Sequence, residues 1–97
     1  MVVTFEVKTD SLAYADITVG HGTAWHHVGT DNGTGRYDFP DGVMRFALQV
    51  QMEGDPGGSA AVTMTRDDGV PVKPDFHRAV ANGEGGQTLV TLQVEHL

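Results

Sequence analysis

The stretch "VMRFALQVQM", Val43–Met52, alternates apolar and polar side chains along its length. Successive side chains on a strand point to opposite faces. Met44, Phe46, Leu48, Val50 and Met52 therefore share one face, and Arg45, Ala47, Gln49 and Gln51 share the other. The same period of two recurs in Val2–Lys8, where Val3, Phe5 and Val7 point inward. It recurs in Leu12–Val19 (Ala13, Ala15, Ile17, Val19), in Ala60–Arg66 (Ala60, Val62, Met64) and in Gln87–His96 (Val90, Leu92, Val94). Thr23–Val28, Arg36–Phe39 and Val70–Lys73 read as shorter strands. Pro74–Gly86 reads as a looser connection. No segment of helical length shows a period of 3.6.

Turn signals separate these runs. "GHG" at Gly20–Gly22, "PDG" at Pro40–Gly42 and "DDG" at Asp67–Gly69 supply residues that tolerate positive φ or preset it for a turn. Pro71 lacks an N–H and marks its strand as an edge. Many short strands at this spacing predict an all-β fold: an antiparallel β-sandwich of seven to eight strands, immunoglobulin-like, with residues 1–97 as a single domain. A domain of 97 residues buries roughly two thirds of its unfolded surface, so one modest core is available.

Three segments, "FEVKTD", "ADITV" and "MEGDPGGSAAVTMTRDDGVPVK", together resemble the soluble domain of the mycobacterial membrane protein small family. The resemblance implies an immunoglobulin-like sandwich and a non-catalytic accessory role. The chain departs from that family in having no apolar anchor and no cysteine pair, and in Phe39-Pro40 where the family shows Pro-Trp.

Composition narrows the function further. The chain has no cysteine, which excludes disulfides, thiolate ligands and a cysteine nucleophile. Its formal net charge is -7, and its six Lys and Arg are scattered. Such a surface repels phosphates and anionic lipids, so neither nucleic acid nor membrane is expected as a partner. The opening "MVVTFEVKTD" already alternates and has no signal-peptide pattern. Cytoplasmic synthesis is expected from it.

Chemistry concentrates in "HGTAWHHVG", His21–Gly29, which holds three of the five histidines and the lone tryptophan. Alternation points His26 and His27 in opposite directions, so they cannot share one ion in a regular strand. His21 and His27 share a parity but lie roughly 20 Å apart along an extended chain. No metal site and no cofactor are expected. Asp residues in "TDNGTG", "YDFPDG" and "TRDDG" match turn chemistry better than an EF-hand loop. Ser11 and Ser59 stand outside any nucleophile-elbow motif. "NGEGG" lacks the Lys of a phosphate loop. No catalytic residues are assigned. Tyr14, Trp25 and Tyr37 are the aromatics that would contact a glycan.

Three functional classes remain: a structural or interaction module of a larger assembly, a small-ligand or glycan binder, and a histidine-dependent metal protein. The residues favour the first, with a protein partner or self-association. A virion, through its capsid or tail, is a setting that suits a cysteine-free sandwich, by analogy of fold. Val2, Leu89 and Leu97, apolar groups beyond the single inward face a sheet requires, are the candidate interaction residues together with Trp25, which packs with one histidine on one face of its strand.

Overall fold

The computed structural model describes residues 1–10, 13–30, 33–55, 57–79 and 86–97. It is all-β, with eight strands and no helix among the described residues. In chain order they are β1 (Val2–Thr9), β2 (Ala13–His21), β3 (Ala24–Thr30), β4 (Thr34–Asp38), β5 (Phe46–Gly54), β6 (Ser59–Arg66), β7 (Pro71–Ala79) and β8 (Gly86–Val94). They form two antiparallel four-stranded sheets, ordered β4-β1-β6-β7 and β3-β2-β5-β8. The sheets pack as a β-sandwich, with four strands in each layer rather than the four and three of a constant-type immunoglobulin domain.

The inward faces follow the period of two. Val3, Phe5 and Val7 meet Ala15, Ile17 and Val19, with Leu48, Val50 and Met52 beside them and Ala60, Val62 and Met64 opposite. No polar or charged residue among those described is buried. The core is a purely apolar layer, as expected where no buried group needs a partner.

Turn chemistry closes the connections. Gly42, at φ 88°, follows Pro40-Asp41, and the Val43 amide donates to the Pro40 carbonyl at 3.2 Å. Gly69, at φ 85°, closes the β6–β7 hairpin, where the Asp68 carboxylate accepts from the Val70 amide. The Asp cluster there serves the turn, as the local backbone geometry of Asp predicts.

Three expectations need correction. Strand β5 starts at Phe46, so Met44 lies before it and is 62% exposed rather than inward. The 39–45 segment instead folds over the end of the sandwich, where the Leu97 amide donates to the Met44 carbonyl. Residues 74–79, read as a loose connection, continue β7, with Phe76 buried opposite Val62. Pro71 and Pro74 are tolerated because β7 is an edge, as Pro71 indicated. The first hairpin turn is Gly22-Thr23, one step later than "GHG" suggested, so His21 still belongs to β2 and pairs with Ala24. Ser11, Leu12 and the "NGEGG" positions 82–85 lie outside the described residues.

Candidate functional site

The His21–Gly29 stretch builds the β2–β3 hairpin, and the hairpin sorts its side chains onto two faces. Gly22, at φ 61°, allows the two-residue turn. His26 pairs with Val19 and so points inward; His27 pairs with Thr18 and points outward, as alternation requires. A bulge follows at Val28, since Ile17 faces Gly29 while Thr18 faces His27.

On the inward side, His21 and His26 stack with ring centroids 5.7 Å apart. The later turn explains this pairing, which sequence reasoning missed: His21 and His26 are diagonal neighbours across the hairpin. They meet Tyr37 from β4 of the other sheet. Tyr37 lies 5.0 Å from His26, and its hydroxyl is 2.6 Å from His21 Nε2. Phe39 packs edge-on against Tyr37 at 4.7 Å and leads to Phe46 at 4.6 Å, and Phe46 to Phe5 at 6.3 Å. These rings form a seam from the sandwich margin into its core. It joins one sheet to the other where β3 passes β4. Tyr37→Phe is expected to cost about 0.5–1.5 kcal/mol, the usual worth of one such hydrogen bond, in urea denaturation. An unchanged midpoint would show that the hydroxyl contributes nothing to the seam.

On the outward side, His27 Nε2 bonds the Asp16 carboxylate. Trp25 pairs with Gly20, and its benzo ring lies over that glycine: a Cβ there would come within 2.6 Å of Cε3 and Cζ3. The indole is nonetheless 52% exposed. The outward face continues with Thr18, Asp16 and Tyr14 on β2, Ala47, Gln49, Gln51 and Glu53 on β5, and Leu89, Thr91 and Gln93 on β8. Among the described residues, the strands of this face carry neither Lys nor Arg, and Arg45 borders it beside Glu95. Lys8, Arg36 and Lys73 are on strands of the other sheet, Arg66 ends β6, Arg78 is on β7, and Arg45 precedes β5.

The four candidate interaction residues separate into three places. Trp25 and Leu89 share the outward face of the β3-β2-β5-β8 sheet, on its two opposite edge strands, and Leu89 is 61% exposed. Val2 is half-buried on the outward face of the other sheet, beside Asp38. Leu97 packs against the core and lines a shallow cleft of about 370 Å³ with Met1, Pro40, Val43 and Met44. Its partial burial comes from the 39–45 segment, in which the sequence pattern assigns only residues 43–45 to the Val43–Met52 strand. The four therefore do not form one surface.

Among the described residues, no group of three or more His, Asp or Glu side chains is placed to hold a metal ion. Ser59 donates through Oγ to the Asp10 carboxylate at 3.3 Å, and its backbone amide donates to the same oxygen. That arrangement ties the start of β6 to the end of β1. Among the described residues, no helix is long and apolar enough to cross a membrane. Comparison with protein-family models, curated proteins and solved structures gave no match.

Proposed function

We propose that this protein is a non-catalytic structural module that joins a larger assembly by pairing strand β8 with a strand of a protein partner. One observation carries this reading: among the described residues, β8 is the edge strand that has neither short length, bulge, proline nor charge. Edge strands expose unpaired backbone groups, and natural proteins blunt them with short length, bulges, prolines or charges. Here β4 has five residues and carries Arg36 and Asp38. The β3 edge is interrupted by the bulge at Val28. The β7 edge carries Pro71, Lys73 and Pro74. By contrast β8, "GQTLVTLQV", runs nine residues with neither proline nor charge, and presents exposed Leu89. Strand addition at such an edge takes affinity from main-chain hydrogen bonds and specificity from alternate side chains.

The assembly we propose is a virion head or tail. A cysteine-free sandwich matures without an oxidising compartment, which suits a particle built inside a cell. The test is sedimentation of the tagged chain from extracts of the cells that make it naturally. Wild type is expected to travel with a particle far heavier than its own 10.4 kDa. Leu89→Lys combined with Thr91→Lys is expected to leave folding stability within about 0.5 kcal/mol, as exposed substitutions usually do, and to release the chain from the particle. Wild type sedimenting as a free chain, or the double variant remaining on the particle, overturns the reading.

A further inference from the structure

The outward face of the β3-β2-β5-β8 sheet has a chemistry that edge pairing at β8 does not use. The pairing registers set its side chains in rows across the strands. One row runs Trp25, Gly20, Ala47, Gln93; the next runs His27, Thr18, Gln49, Thr91. Neighbouring strands lie about 4.8 Å apart, and same-face residues on one strand about 6.8 Å apart. The first row is low in its middle, because Gly20 and Ala47 are small. The indole of Trp25 lies over Gly20 and, at 52% exposure, offers its remaining surface to solvent. Amide groups of Gln49 and Gln93 and hydroxyls of Thr18 and Thr91 stand around this floor.

We propose that this face is a binding site for a neutral glycan. A sugar ring would stack its C–H face on the exposed side of the Trp25 indole, with its hydroxyls bonded to Gln49, Thr91 and Gln93. Each primary amide both donates and accepts, and so does each hydroxyl, which is the pairing a polyhydroxylated ligand requires. Charge selects the ligand further. The strands of this face carry Asp16 and Glu53 and no Lys or Arg among the described residues, and Arg45, just before β5, is offset by Glu95 at 4.0 Å, so sulfated, phosphorylated and nucleic acid chains are disfavoured. A greasy protein surface is a poorer fit, because rows of Thr and Gln separate Trp25 from Leu89 and break any continuous apolar patch.

Trp25 is the chain's only tryptophan, so its fluorescence reports on this face directly. The probes are four soluble neutral polysaccharides, laminarin, xyloglucan, galactomannan and dextran, with heparin as the anionic control. Affinity electrophoresis and Trp25 emission are read together. At least one neutral polymer is expected to retard the protein and shift its emission, and heparin to do neither. Gln49→Ala combined with Gln93→Ala is expected to weaken that binding tenfold or more without changing the melting temperature. Gly20→Ala, which keeps the indole but lifts it off the sheet, is expected to weaken it as well. Leu89→Lys is expected to leave glycan binding intact, so this inference and strand pairing at β8 stand or fall separately. Silence with all four neutral polymers, an equal response to heparin, or full binding by the Gln49/Gln93 variant overturns it.

Discussion

Gly35→Ala is expected to destabilise the fold by about 3 kcal/mol or more, at the upper end of overpacking losses. Gly35 lies on β4 where that strand passes β3 of the other sheet. A Cβ at this position would stand 2.8 Å from the carbonyl carbon of Val28, closer still to its oxygen, and 3.1 Å from Val28 Cγ1. The obstacle is backbone, at the bulge of β3, so no side-chain rotation relieves it. One strand must move, and the His21–His26–Tyr37 seam between the sheets moves with it. For a domain of this size such a loss lowers the melting temperature by roughly 12 °C or more. Gly29→Ala is the matched control. Its Cβ would meet Ile17 Cγ1 at 3.5 Å and the Gly35 nitrogen at 3.6 Å, ordinary contacts, so its effect is expected to stay within about 1 kcal/mol. Equal melting temperatures for Gly35→Ala and wild type would mean that β3 and β4 do not approach so closely.

Phe46→Ala is expected to cost about 3–5 kcal/mol, the loss from emptying a buried aromatic site. Phe46 is 2% exposed and links the seam to the core, with Phe39 on one side and Phe5 edge-on at the other. Its loss opens a cavity and removes the common neighbour of two rings. Arg45→Ala, one position earlier, is expected to change stability by no more than about 0.5 kcal/mol. The Arg45 side chain is 78% exposed and reaches Glu95 only at 4.0 Å. Comparable losses at positions 45 and 46 in chemical denaturation would contradict the register of β5.

Strand faces were legible in the sequence because one buried face imposes a period of two. Phe5, Ile17, Leu48, Val62 and Val94 all fall inward as that period requires. Where alternation continued past the strand, it misled. Met44 keeps the parity of Phe46, yet the Pro40–Gly42 turn and the bond from Leu97 to Met44 draw residues 43–45 away from the sheet. Pro74–Gly86 read as a looser connection, but an edge strand tolerates Pro74, and Phe76 holds β7 to the core. The opposed facing of His26 and His27 followed from alternation alone. The meeting of His21, His26 and Tyr37 did not, because it depends on a turn one residue later and on a strand from the other sheet. The position of Trp25 over Gly20 likewise needed the register of β2 against β3.

The strand order gives the 39–45 segment a significance beyond its turn. Residues before it supply the pairs β1·β4 and β2·β3; residues after it supply β6·β7 and β5·β8. Among the described residues, the two half-chains pair strand to strand where the central strands join, from Val3↔Arg66 to Thr9↔Ala60 in one sheet and from Ala13↔Gly54 to Gly20↔Ala47 in the other. Val3, Phe5 and Ile17 belong to the first half, and Leu48, Val62 and Val94 to the second. The core of this domain is therefore an interface between two halves of one polypeptide. The 39–45 segment is its tether, holding each half at the effective concentration a short linker confers, on the order of millimolar. Folding here is an association made intramolecular, and the chain's stability contains a binding constant multiplied by that local concentration.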